Sequence, residues 1–168
     1  DLGAQGLLDV GQVLVRGLDE VAGLAPDGPR LGETVAGEGG GGGELAPHGS
    51  ANDYSGGRSG RIDIETGAVE VLYKSGDFGC VLRGPNDIVF DGEGGFWFTD
   101  HGKVDYARRC HDIVGIFYAK ADGSHLEEVI FPSNNPNGIG LSPDGTALYA
   151  AETYTCRLMQ FNVTAPGK

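Results

Sequence analysis

Two segments of this chain, Pro85-Asn86-Asp87-Ile88-Val89-Phe90 and Pro136-Asn137-Gly138-Ile139-Gly140-Leu141, open alike and stay alike beyond the shared dipeptide. The first leads through an acidic-glycine turn into Gly95-Phe96-Trp97-Phe98; the second does the same into Ala147-Leu148-Tyr149. The two prolines stand 51 residues apart. A period of this length marks stacked or radially arranged units, because one such unit cannot bury its apolar face alone. It confines the chain to folds in which equivalent strands lie near one another, and it places an Asn at the start of each. A single Asn after Pro is an ordinary turn residue. Two in register, each opening an apolar strand, are candidates to aim their side chains at one place.

The surrounding pattern is that of strands. Arg61 to Glu65 alternates apolar and polar residues, Thr66-Gly67 makes a turn, and Ala68 to Tyr73 alternates again with Val69, Val71 and Tyr73 on one face. Asn86 to Phe90 and Gly95 to Thr99 follow, the latter rich in the aromatics that favour strands. Val114 to Ala119 and Glu127 to Phe131 complete a group of four, joined mainly by Gly/Asp turns. The cycle restarts with Gly138 to Leu141, Ala147 to Ala151 and Arg157 to Val163. No segment carries an amphipathic helix period. Four strands recurring at ~40–50 residues form the blade of a β-propeller. The expected fold is therefore all-β, an incomplete propeller of roughly three blades; a sandwich or open barrel would leave the repeat unexplained.

Composition divides the chain near residue 50. Residues 1–50 have poor periodicity and include a run of glycines from Gly39 to Gly43, which has no side chains to bury. This segment is expected to be flexible or mistranslated, and 51–168 to be the partial propeller domain. Net charge is −12 and no Lys/Arg cluster exists beyond Arg108-Arg109, so nucleic acid is not an expected partner. No apolar run approaches the ~20 residues of a membrane span. Cys80, Cys110 and Cys156 are odd in number and lack metal-ligand spacing, which points to free thiols in a reducing, cytoplasmic setting.

Several pieces together carry a family resemblance: Asp53-Tyr54-Ser55-Gly56-Gly57-Arg58, Gly84 to Asp91, Gly94 to Lys103, and Pro136 to Gly145. Over about residues 51–168 the chain resembles the senescence marker protein / gluconolactonase / regucalcin-like family. The resemblance implies a six-bladed β-propeller with a divalent metal, usually calcium, in its central channel, and hydrolysis of lactones or related esters. It implies that Asn86 and Asn137 are two of the metal ligands, with Zn2+ or Mg2+ as alternative occupants, and that Asp87 contributes to a second, structural calcium site. An Asn carbonyl is a suitable oxygen ligand for a hard cation and brings no charge. The family's early-blade Glu has no clear counterpart among Glu20, Glu33, Glu38 and Glu44, and its later-blade catalytic Asp would fall beyond Lys168.

His101, which closes the aromatic strand, is a candidate to move protons or touch substrate, against the plainer reading of a hydrogen-bonded loop histidine. Phe96, Trp97 and Phe98 are expected in the core, and Asp122-Gly123 and Asp144-Gly145 in hairpin turns. The expected function is metal-dependent hydrolysis of a small lactone or ester; the alternatives are a non-catalytic propeller that binds a ligand or partner, and an inactive fragment. The oligomeric state does not follow from the sequence.

Overall fold

The computed structural model describes residues 14–15, 34–38, 54–63 and 66–168, with 14–15, 34–38 and Ile62 described by backbone only. Thirteen strands are described: β1 (Leu14–Val15), β2 (Thr34–Glu38), β3 (Gly57–Ile62), β4 (Val69–Lys74), β5 (Pro85–Phe90), β6 (Gly95–Asp100), β7 (Val104–Asp105), β8 (Cys110–His111), β9 (Val114–Lys120), β10 (Leu126–Ser133), β11 (Pro136–Leu141), β12 (Ala147–Glu152) and β13 (Arg157–Asn162). They form antiparallel sheets in the orders β1-β2-β3-β4, β10-β9-β6-β5 and β11-β12-β13, with β7-β8 as a separate hairpin inserted between β6 and β9. Among the described residues the all-β expectation holds, with one short 3-10 turn at Asp77–Gly79. Among the described residues no helix is long and apolar enough to cross a membrane.

The middle sheet organises the rest. Every residue of β6 is buried, and so is β9 up to Ala119. Side chains alternate across a strand, so each of these strands feeds two cores. Phe96 and Phe98 of β6, with Phe117 and Ala119 of β9, join Tyr73, Leu82, Ile88 and Leu126. Trp97, Ile116 and Tyr118 face the other way and join Ile139, Leu148 and Ala150 of the next sheet. Phe98 stacks on Phe117 at 5.2 Å, while Trp97 meets Tyr118 edge-on at 5.1 Å. Polar tips are satisfied where the rings are buried: Tyr73 Oη donates to Lys120 O at 2.6 Å and Tyr118 Oη to Asp91 Oδ2 at 2.7 Å.

The repeat is visible in the ladders. Pro85 pairs with Asp100, Ile88 with Phe98 and Phe90 with Phe96; Pro136 pairs with Glu152, Ile139 with Ala150 and Leu141 with Leu148. Each first strand has a register irregularity between its Pro and its Ile. The turns differ by one residue, closing as Asp91 N to Gly95 O in the first copy and Ser142 N to Ala147 O in the second.

Some local expectations shift. The strand expected at 61–65 begins earlier, at Gly57, and residues 64–65 lie outside the described set. Val69, Val71 and Tyr73 do not share one buried face: Val69 and Val71 are 55% and 46% exposed, whereas Tyr73 is 0% exposed. The β3–β4 pairing steps from Gly60↔Val71 to Ser59↔Tyr73, so an extra residue, Leu72, interrupts the alternation. Asp122-Gly123 and Asp144-Gly145 do sit in turns, with positive φ at both glycines. Most of residues 1–50 lies outside the described residues; its two described pieces, β1 and β2, extend the β3–β4 sheet.

Close packing at Gly95 gives a test of this arrangement. A Cβ there would lie 1.9 Å from Tyr118 Oη and 2.9 Å from Asp91 Oδ2, whereas one at Gly92 meets nothing within 4 Å. Gly95→Ala is expected to lower the unfolding free energy by about 1–3 kcal/mol, as overpacking does, and Gly92→Ala to leave it within about 0.5 kcal/mol. Urea unfolding of both variants checks this.

Candidate functional site

The starts of β5 and β11 come together at one end of the sheets. Asp87 Oδ2 accepts from Ile139 N at 2.8 Å, and Thr99 Oγ1 donates to Asn137 O at 2.6 Å. Asn86 and Asn137 are thus neighbours through one layer of hydrogen bonds. Asn86 is half-buried and Asn137 exposed. Among the described residues neither amide side chain has a hydrogen-bond partner, so both carbonyl oxygens are open acceptors.

What holds these strand starts is a pair of carboxylates at the ends of the second strands. Asp100, at the end of β6, is fully buried and accepts three backbone bonds: Arg83 N at 2.6 Å, Gly84 N at 2.7 Å and Gly102 N at 2.8 Å. Burial pushes its carboxyl above the ordinary range, against the pull of these donors. Glu152 occupies the same place at the end of β12. Its Oε1 accepts from Asn134 N and Ser133 Oγ, each at 2.9 Å, and its Oε2 from Thr155 Oγ1 at 2.6 Å. Burial works to raise this carboxyl, but the three hydrogen bonds and the nearby Arg157 outweigh it and hold it low. In both copies the carboxylate fixes the residues just ahead of Pro-Asn. A backbone bond then repeats in register, His101 N to Gly84 O at 2.8 Å and Thr153 N to Asn135 O at 3.0 Å.

The approach to Asn86 is tight on its other side. A Cβ at Gly57 would stand 2.4 Å from Pro85 Cδ, so only glycine lets β3 lie this close to the start of β5. Tyr54 Oη donates to Arg83 O, and Lys103 Nζ sits 4.8 Å over the Tyr54 ring. Burial, then the charges of Asp100 and Asp112 against that of Arg83, push the Tyr54 phenol up to about 12, while burial draws Lys103 down to about 8 against the Asp112 charge.

His101 lies between the two strand starts. Its carbonyl accepts from Asn135 Nδ2, its ring lies beside the backbone of Pro136 and Asn135, and its Nδ1 is buried without a hydrogen bond. Asn135 itself is 0% exposed, has φ of 51°, and leaves Oδ1 without a partner. Asp87 accepts two backbone bonds, Oδ1 from Ile88 N and Oδ2 from Ile139 N, both at 2.8 Å. Glu20, Glu33 and Glu44 lie outside the described residues, and Glu38 is described by backbone only. Among the described residues no group of three or more His, Cys, Asp or Glu is arranged to hold a metal. The two amide oxygens are donors of a type that suits a hard cation, and they would be two of the six to eight oxygen ligands calcium takes.

Sequence reasoning missed Thr99, Asp100, Asn135 and Glu152. The one available signal was positional: Asp100 and Glu152 end the aromatic or aliphatic run of each copy. A groove of about 580 Å³, lined by residues including Phe90, Trp97, Leu141 and Val163, opens by the β5–β6 and β11–β12 turns. That is the opposite end of these strands from Asn86 and Asn137, so the groove is separate from the site.

An all-β chain of packed antiparallel sheets, with repeated Pro-Asn strand starts meeting at one end, defines the class. The sequence matches the family model for the SMP-30/gluconolactonase/LRE-like region over residues 22–168, and the chain belongs to that family. It is 30% identical to a diisopropyl-fluorophosphatase from Loligo vulgaris across 66% of this chain and 38% of that protein. It is 37% identical to lactonase drp35 from Staphylococcus epidermidis across 44% of this chain and 21% of that one. A solved gluconolactonase from Xanthomonas campestris superposes with a TM-score of 0.51 at 25% identity, over 64% of this chain and 38% of that one. The chain spans at most about two fifths of these relatives.

Burial lowers the His101 pKa from its ordinary ~6.5, so the folded protein resists the proton that the unfolded chain accepts. This contribution to stability is complete above ~6.5 and is lost as pH falls through the depressed folded value. Unfolding free energies measured between pH 7 and pH 5 should therefore fall less steeply for His101→Gln than for wild type. Equal slopes would show that the ring is not desolvated.

Proposed function

We propose that this chain is part of a cation-dependent hydrolase of lactones or related esters, built on a β-propeller. The observation that carries the reading is the pair of open amides, Asn86 and Asn137, on adjacent strand starts of a chain that belongs to this family. The names of its relatives, a gluconolactonase, lactonases and a fluorophosphatase, agree on hydrolysis at an electrophilic carbonyl or phosphoryl centre. The propeller reading is supported by a complete four-stranded meander that lies between two further sheets, with β5 lying against both β2 and β11.

Asn86 and Asn137 would hold the cation, with calcium favoured by an all-oxygen, uncharged donor pair and zinc or magnesium as alternatives. A bound divalent cation supplies polarisation of a carbonyl or phosphoryl oxygen and stabilises the negative charge that develops there. The chain's own residues orient the ligands: Asp100 and Glu152 fix the turns ahead of them. His101, whose pKa burial lowers, lies beside the two strand starts and is the candidate in this chain to take a proton. Asp87, with both oxygens on backbone N–H groups, serves the scaffold in this reading.

Calorimetric titration of the wild-type chain with calcium chloride should show binding. Asn86→Ala and Asn137→Ala should each weaken it by more than about tenfold, the loss that removal of an outer-shell partner alone can produce. Hydrolysis of a sugar lactone, where it is present, should disappear on chelation and return with calcium. Activity that survives both chelation and Asn86→Ala would refute the mechanism.

A further inference from the structure

The peptide groups that follow the two asparagines are the ones their own sheets leave unpaired. Both ladders jump from Pro to Ile, so the backbone around Asp87 and Gly138 falls in the irregularity. N–H and C=O groups that a ladder does not pair take partners elsewhere. Thr99, at 0% exposure on β6, provides one: its Oγ1 accepts from Asp87 N at 3.1 Å and donates to Asn137 O at 2.6 Å. Its approach to Asp87 O is longer, 3.4 Å, which leaves the single hydroxyl proton to Asn137 O. One hydroxyl therefore holds the peptide unit directly after each asparagine.

Asp87 adds the second tie. Its Oδ1 is fixed by Ile88 N, and Oδ2 reaches across to Ile139 N. The repeat is broken at this position for a reason the structure supplies. Gly138 stands where Asp87 stands in the first copy, and a Cβ there would lie 3.8 Å from Asp87 Oδ2. A symmetric pair would set two carboxylates against each other; here one copy gives the carboxylate and the other gives the backbone N–H that it binds.

We propose that Thr99 and Asp87 are positioning residues that set the placement of Asn86 relative to Asn137, so that both amides serve one divalent cation. The proposal rests on the reading of those asparagines as ligands. Neither Thr99 nor Asp87 touches the cation in this arrangement. They act by bonding the β5–β6 sheet to the start of β11: Thr99, on β6, ties both strand starts to itself, and Asp87 ties the start of β5 directly to β11.

The test compares the wild-type chain with Thr99→Val, which keeps the shape and removes the hydroxyl, and Thr99→Ser, which keeps the hydroxyl. In calorimetric titration with calcium chloride, Thr99→Val should bind at least about tenfold more weakly, and Thr99→Ser should stay close to wild type. Hydrogen exchange of the metal-free proteins supplies a second readout: Thr99→Val should speed exchange in 85–88 and 136–139 together. Should Thr99→Val fail to fold, Asp87→Ala takes its place, with weaker calcium binding expected and a stoichiometry that stays at one per chain. A stoichiometry that drops from two to one would make Asp87 a ligand and overturn its positioning role. Equal calcium affinity in wild type and Thr99→Val overturns this proposal alone. A wild-type chain without calcium affinity overturns the ligand reading, and this proposal with it.

Discussion

The burial of both faces of β6 and β9 is the constraint from which the other features follow. A strand that reads Gly-Phe-Trp-Phe-Thr-Asp offers aromatic surface on two sides, and neither side can be left to water. Fully burying a side chain of this kind contributes roughly 1.5–3 kcal/mol, so exposing either face would cost several such contributions. The chain must therefore cover the β10-β9-β6-β5 sheet from both directions. Tyr73 and Leu82 close one face, and Ile139, Leu148 and Ala150 close the other. Once β11 and β12 are drawn onto Trp97, Ile116 and Tyr118, the start of β11 arrives beside the start of β5. The adjacency of the two asparagines is a consequence of aromatic packing one layer away.

Packing alone would bring the strand starts near each other without fixing them. The fixing is done by polar groups whose partners are backbone, and this separates what the sequence shows from what it hides. The Pro-Asn copies, the strands of the middle sheet and the burial of Phe96, Trp97 and Phe98 were all legible, because they depend on apolar periodicity and turn chemistry. Thr99 and Asp100 were not legible as functional positions. A backbone N–H belongs to every residue except proline, so no spacing in the sequence announces which three of them a carboxylate will collect. Asn135 was hidden for a related reason: its importance lies in its left-handed φ and in a bond to His101 O, neither of which a residue type declares. The β7–β8 hairpin escaped notice because two-residue strands carry no period. Val71 and Tyr73 were misjudged because one extra residue, Leu72, reverses the face of everything beyond it.

The acidic composition acquires a different meaning once these bonds are counted. Net charge of −12 is compatible with a surface that attracts cations. Yet many of the described carboxylates are occupied by backbone N–H groups of turns and strand ends. Asp91 holds Glu93 N and Gly95 N, Asp144 holds Thr146 N, Asp122 holds Ser124 N, and Asp100 and Glu152 hold the segments ahead of Pro-Asn. Asp91 and Asp144 do this at corresponding turns of the two copies. Acidic residues here act largely as acceptors that let a glycine-rich chain turn sharply without leaving donors unsatisfied. Where the two copies meet, the charged groups are spent on holding the backbone and the neutral amides of Asn86 and Asn137 are left open. Under the proposed reading that division of labour suits a ligand pair: carboxylates bound to backbone N–H groups hold the strand starts, and the amide oxygens would be left to a cation.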